Sequence, residues 1–308
     1  MKPSSTHHNK TNDDITLYGL ISLFIRNWLI LVISGFTFAI VAVVWAIQQP
    51  NIYKAEALLM PASGEDGGLG GLAGKLGGLA SVAGVNLASG KDNNTKLALE
   101  LVESRVFIDK FVNELDIKVE LMAANGWNVT TGELLIDPEV YDKKTGTWLR
   151  KVEPPKMPEP SKQEIYEKFI SMLDVEEDPK TKFVKVSIEY YSPQLAAQWV
   201  TKLVDMLNQH IRELDKDEAT RSINYLKDIS DRPFTKELKT VIATLTEEQL
   251  KSRMLTEVRK DYVYKIVDPA VAPENKSKPK RALIVVLAGF IGGIIGIIII
   301  LFRAGKPE

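Results

Sequence analysis

The chain has 308 residues, 45% of them hydrophobic and 26% charged, with 39 Lys plus Arg against 40 Asp plus Glu. That is the composition of a folded protein of one or two domains, and a formal charge of -1 offers no general basic excess to nucleic acid phosphates. With no cysteine, disulfide frameworks, thiolate nucleophiles and thiolate metal sites are excluded.

A polar tail, residues 1–27, opens the chain. Residues 28–47 then run for twenty positions without a charge, and as a helix rising about 1.5 Å per residue they cover roughly 30 Å, the thickness of a hydrocarbon core. Residues 282–302 form a second uncharged run of twenty-one, unbroken in isoleucine from Ile297 to Ile300, and 303–308 are left as a short tail. Both runs are predicted to span a membrane. The first follows a tail containing Asp13 and Asp14 and lacks a small-x-small cleavage site, which argues against a removed signal peptide. Two spans place both tails on one side and residues 48–281 on the other. Arg26, Arg303 and Lys306 favour cytoplasmic tails, whereas Lys54, Lys276, Lys278, Lys280 and Arg281 favour the reverse. Charge counting leaves the orientation open, because a large domain translocates regardless of its charge.

After the first span, Tyr53, Ala55, Ala57 and Leu59 alternate as one face of a strand that Pro61 ends. Gly64 to Gly90 holds ten of the twenty glycines. It fails the phosphate-loop template, with Leu69 where a glycine is required and Leu76 after Lys75. Leu69, Leu72, Leu76 and Leu79 fall at helical spacing, so the segment reads equally as an amphipathic helix or a loop. Leu97, Leu101, Ile108, Phe111 and Leu115 predict one helix over 95–115. Residues 124–160 read as irregular or hairpin-like, with a turn at Lys144-Thr145-Gly146 and a stiff connector carrying Pro154, Pro155, Pro158 and Pro160. A short helix over 163–172, a strand over 173–176, a turn at Asp178-Pro179-Lys180 and a strand with Val184, Val186, Ile188 and Tyr190 on its buried face follow.

Ser192-Pro193 is a helix start, a hydroxyl cap followed by proline where no N–H is needed. The helix it opens, about 193–231, carries Leu195, Trp199, Leu203, Leu207, Ile211 and Leu214, continued by Ile223 and Leu226. A second helix over 235–259 carries Leu238, Ile242, Leu245, Leu255 and Val258. Helices of this length outreach a core and are predicted to bury their stripes on each other or on copies of the chain. A strand from Tyr262 to Val267 returns to the second span and is expected to share a sheet with the strand at Tyr53. The fold class is α+β: two transmembrane helices flanking a large domain with a mixed α/β base near the membrane and long projecting helices.

Nothing selects a reaction centre. Of three histidines, His7 and His8 lie in the tail, while His210 falls among Leu203, Leu207 and Leu214 at helical spacing. These four are candidates for helix–helix or protomer packing. Acidic groups such as Glu176-Glu177-Asp178 and Asp215-Lys216-Asp217-Glu218 read as solvated surface. No catalytic, cofactor or metal residue is expected, and no enzyme activity. In the second span, Gly289 with Gly293 and Gly292 with Gly296 form two overlapping small-x-x-x-small patterns, whose flat faces suit contact with another span, of this protein or of a membrane partner.

Several stretches together resemble the bacterial polysaccharide chain length determinant family, the polysaccharide co-polymerases. They are Asp13-Asp14-Ile15 and Leu17 running into Arg26-Asn27-Trp28-Leu29-Ile30, the Gly/Leu/Ala-rich segment, and Tyr191-Ser192-Pro193-Gln194-Leu195-Ala196-Ala197 before Trp199-Val200. The most specific is the proline-rich approach to the second span, Asp268-Pro269-Ala270-Val271-Ala272-Pro273 through Lys278-Pro279-Lys280-Arg281-Ala282-Leu283-Ile284. Residues 124–160 match least well. The resemblance implies a two-pass inner-membrane protein with cytoplasmic termini and a periplasmic domain, assembled as a ring of identical protomers. It implies regulation of the length of O-antigen or a related polysaccharide made by a separate membrane polymerase. Implied partners are that polymerase, the growing polysaccharide or its lipid carrier, and membrane lipid, with no nucleic acid. The alternative, a coupling subunit for capsule or exopolysaccharide export working with a separate tyrosine kinase, shares the two-span plan; the short C-terminal tail and the absence of a nucleotide motif count against it.

Overall fold

The computed structural model describes residues 26–62, 90–232, 235–259 and 261–304, in two units: residues up to 50 together with those from 278 onward, and residues 51–277. The expectations for the N-terminal tail with His7 and His8, for the Gly-rich segment after residue 62, and for the last four residues lie outside the described residues.

The first unit is a pair of helices, α1 (Trp28–Gln48) and α8 (Arg281–Ala304), packed along their length. Both are long and apolar enough to cross a membrane. Their lipid-type side chains point outward, with Phe36, Val41, Phe290 and Phe302 all exposed. This is the inverse of a soluble helix pair, and it is stable where the surroundings are themselves apolar.

The second unit is built on a four-stranded antiparallel sheet of order β6-β7-β1-β8, from β1 (Tyr53–Pro61), β6 (Leu173–Glu177), β7 (Val184–Tyr190) and β8 (Tyr264–Asp268). The predicted alternation is realised: Tyr53, Ala55, Ala57 and Leu59 are buried, and they pair in register with β7 from Tyr53 opposite Tyr190 to Leu59 opposite Val184. β1 and β8 share the sheet as expected, with Pro61, which has no N–H to give, as the last paired residue. On the other face of β7 the one exception is Ser187, buried because its hydroxyl bonds Asp174 on β6 at 3.3 Å.

The core lies between this sheet and a layer of helices: α2 (Gly90–Val102), α3 (Arg105–Glu114), α4 (Lys118–Ala123), α5 (Lys162–Ile170) and α6 (Pro193–Ser230). The single helix predicted over 95–115 is two. Ser104 is extended and its hydroxyl accepts from Phe107 N–H at 3.2 Å, so the chain restarts there as a capped helix, turning Phe107, Ile108, Phe111 and Val112 into the core. Residues 124–160 form two hairpins, β2 (Ala124–Asn128) with β3 (Glu133–Ile136) and β4 (Tyr141–Asp142) with β5 (Thr147–Trp148). The turn predicted at Lys144-Thr145-Gly146 is there, with Gly146 at φ 68 and the Asp142 carboxylate accepting from Lys144 N–H and the Thr145 hydroxyl.

α6 begins where Ser192 and Pro193 predict, the Ser192 hydroxyl accepting from Leu195 N–H. Trp199, Val200, Leu203, Val204, Leu207 and Ile211 sit in the core against the sheet. Beyond Ile211 the helix leaves that core. Ala219 and Leu226 are buried outside it, where α6 pairs with the returning α7 (Lys236–Val258).

Candidate functional site

The four span glycines do two different things. A Cβ on Gly292 would lie 2.8 Å from the Ser34 carbonyl oxygen and 2.9 Å from the Gly35 Cα, and one on Gly296 would lie 3.1 to 3.2 Å from Leu31. Gly35 in turn has the Gly289 carbonyl 3.3 Å from its missing Cβ. This pattern brings the two backbones together, and the Ser34 hydroxyl closes the contact by donating to the Gly292 carbonyl at 2.6 Å. Gly289 and Gly293 are different: a Cβ on either meets nothing within 4 Å. At the end of the pair from which the chain leaves for residues 51–277, Arg281 Nε and Nη2 donate to the carbonyls of Ala46 and Gln49, placing a cation on the negative end of α1.

The four candidates on the long helix also separate. Leu203 and Leu207, 0% and 2% exposed, belong to the single-chain core against the sheet and have no surface left for another protomer. Leu214, 42% exposed, lies beyond it. Among the stripe residues predicted on the second helix, only Ile242 is buried; Leu238, Leu245 and Val258 are exposed, as are Leu250 and Met254, which the spacing argument passed over. Pro269, Pro273 and Pro279 lie in the segment of irregular backbone between β8 and α8.

His210 is half-buried on α6 facing α3, its ring 6.1 Å from that of Phe107 and its Nδ1 buried without a hydrogen-bond partner. Burial, reinforced by Lys110, pushes its pKa below the ordinary 6.5; Glu213, which pairs with Lys110 at 3.8 Å, opposes this. The fold therefore prefers the neutral ring. Its contribution is present above the unfolded pKa and is lost as pH falls from there through the lowered folded value. We expect thermal melting to show a loss of stability below about pH 6.5 that His210→Gln reduces; identical pH profiles would remove His210 as the cause.

A residue that the sequence reading missed is Asn208, a polar side chain beside the stripe. It is buried, with its Oδ1 accepting from the N–H groups of Val263 and Tyr264 and its Nδ2 donating to the Tyr264 carbonyl, all at 2.9 Å. Nearby, Asp215 accepts from the Tyr262 hydroxyl at 2.6 Å and from Asn94 at 2.7 Å. Burial, followed by this bond, raises the Tyr262 pKa well above its usual value. These contacts fix the point where α6 leaves the core and β8 enters the sheet. Among the described residues no group of three or more His, Asp or Glu is placed to hold a metal ion.

Two family models match the sequence. One, described as Wzz, chain length determinant protein, matches residues 13–115; the other, described as GNVR, G-rich domain on putative tyrosine kinase, matches residues 240–305. No functionally curated protein matches the chain. Among solved structures, a full-length bacterial polysaccharide co-polymerase is 13% identical, with 94% of this chain and 97% of that one covered, at a TM-score of 0.37. A fragment of WzzB, a polysaccharide co-polymerase from Salmonella Typhimurium, is 12% identical, with 74% of this chain and 100% of that one covered, at a TM-score of 0.31. The Wzz match runs through the first span, β1 and the core helices α2 and α3, and the GNVR match through α7, β8 and the second span. The two matched segments thus contain both candidate spans and the strands β1 and β8, which pair in one sheet, and over residues 13–115 the chain is similar to the Wzz chain length determinant proteins.

Proposed function

We propose that the protein regulates the chain length of O-antigen or a related surface polysaccharide made by a separate membrane polymerase, and that it does so as a non-enzymatic scaffold. The observation that carries this reading is the Wzz match over the first span and the strand and helices that follow it. In the proposed arrangement both termini are cytoplasmic and residues 51–277 are periplasmic. Identical protomers form a ring, and the ring sets how long polymerase and growing chain stay engaged. Gly289 and Gly293, which the partner span within the chain leaves open, are the surface offered to another protomer's span or to the polymerase. The contact between protomers falls on α7, where Leu238, Leu245, Leu250, Met254 and Val258 are exposed among the described residues, rather than on Leu203 and Leu207.

Deleting the gene is expected to abolish the modal band of lipopolysaccharide on a gel while leaving polymer of unregulated length. Loss of all polymer would instead favour the export-coupling role. Met254 and Val258 are 65% and 77% exposed, so Met254→Asp with Val258→Asp should leave the melting of the domain within about 0.5 kcal/mol of wild type. Two carboxylates desolvated in an apolar contact cost several kcal/mol, so the assembly should shift to smaller species in native mass measurements and the modal band should be lost. An unchanged assembly size would place the protomer contact elsewhere.

A further inference from the structure

Where α6 and α7 run together beyond the core, the pair has two unlike flanks. The helices are antiparallel and the Lys216–Glu257 ion pair, at 2.6 Å, sets their register, so Tyr225 stands level with Glu248. At about 100° of turn per residue, Tyr225 lies roughly 110° round α6 from the buried seam of Ala219 and Leu226. That is the flank on which α7 shows Val241 and Leu245, and Tyr225 is 66% exposed there. Ala243 and Leu250 turn to the opposite side of the α7 seam marked by Ile242. With Ile242, Thr246 and Ser230 of α6 they line a groove of about 390 Å³ on the other flank, spanning the height of Tyr225. Charge divides in the same way. The exposed Glu218 and Glu248 lie beside Tyr225, and the exposed Lys227 and Lys239 beside the groove, where Glu247 is the acid in the wall.

We infer that Tyr225 of one protomer seats in the groove between α6 and α7 of its partner, a head-to-tail contact repeated round the assembly. The inference rests on the ring of the proposed function and adds the sense of the contact and the residues that make it. A knob and a hole on opposite flanks of one element cannot satisfy each other in a two-fold pair, where like surfaces meet; they generate a ring. A closed ring relates its protomers by rotation alone, so with the helix pair upright along the axis a knob meets a hole at its own height, as Tyr225 and the groove do. Tyrosine suits the groove, with a ring for Ile242, Ala243 and Leu250 and a hydroxyl for the polar groups of Ser230 and Thr246. The acids around the knob then face the lysines around the hole, which favours this pairing over like flank against like flank.

The chain has no cysteine, so introduced pairs report the contact without background. In the full-length protein in membranes, Tyr225→Cys with Ala243→Cys on the same chain is expected to give a ladder of linked protomers after oxidation, because the two positions lie on opposite flanks and meet only across the contact. Either substitution alone should give no linked species, and differently tagged chains carrying one each should give linked dimers and nothing larger. Tyr225→Ala should raise the dissociation constant of the assembly by about thirtyfold in native mass measurements, the effect of losing a central aromatic anchor, while the melting temperature of the domain stays at the wild-type value. Linked dimers from Tyr225→Cys alone would show that like flanks meet and would overturn the proposal. So would a double cysteine variant that stays unlinked in an assembly of wild-type size, or a Tyr225→Ala assembly as tight as wild type. Failure of the ring reading itself looks different: the wild-type protein would be found as single chains.

Discussion

Gly292→Leu is expected to separate the two spans, and Gly293→Leu, one residue away, to leave them paired. At 292 the obstacles to a side chain are the Ser34 carbonyl oxygen at 2.8 Å and the Gly35 Cα at 2.9 Å. These are backbone atoms that no rotamer change can move, so the helices must part, and the Ser34 hydroxyl loses its 2.6 Å bond to the Gly292 carbonyl. Inside a bilayer that bond contributes about 0.6 kcal/mol, and the larger loss is the close van der Waals packing along Gly35, Gly292 and Gly296. At 293 a Cβ meets nothing within 4 Å, so the pair within the chain is undisturbed. Spin labels at Ile47→Cys and Leu283→Cys, in a chain with no other cysteine, report the outcome. Gly292→Leu should broaden and lengthen the distance distribution, and Gly293→Leu should reproduce the wild type. If Gly293 is the face offered to the polymerase or another protomer, its variant should alter polysaccharide length while the spans stay together. Unaltered length with paired spans would make Gly293 ordinary span filler.

The contrast between neighbouring glycines also marks what could be read before the fold was known. Two small-x-x-x-small patterns were visible as spacing, but which pair serves the chain's own helix depends on where α1 crosses α8, and spacing on one helix does not contain that. The spans, the alternation in β1 and the start of α6 at Ser192 were legible because each depends on a local property: length without charge, period two, and a hydroxyl cap before proline. The stripe on the long helix was legible as a stripe. Its partition was not, because Leu207 and Leu214 look alike in sequence, and only the end of the sheet beneath them makes one core and the other surface. The break at Ser104 hid inside an apolar pattern that fits one helix as well as two.

Asn208 is the clearest case of a residue that periodicity hides, and its removal is expected to be the most damaging polar substitution in the domain. In Asn208→Ala the N–H groups of Val263 and Tyr264, both donors to Oδ1 at 2.9 Å, lose their acceptor in a buried site. An orphaned buried donor costs about 1–3 kcal/mol, so two donors amount to roughly 2–6 kcal/mol, before counting the Tyr264 carbonyl that loses Nδ2. For a domain of this size, melting should fall by about 10 °C. The neighbouring Gln209 donates along its own helix to Glu213 at 2.9 Å and is exposed; Gln209→Ala should change stability by no more than about 0.5 kcal/mol. The damage should also have a location. Because Asn208 grips the two residues at the start of β8, amide hydrogen exchange should rise there and at Ala62, whose N–H bonds the Val263 carbonyl at 2.8 Å, before it rises in the β1–β7 ladder. A uniform rise in exchange, or a melting point unchanged from wild type, would mean that the junction of α6 and β8 is held by its apolar packing and that Asn208 only fills it.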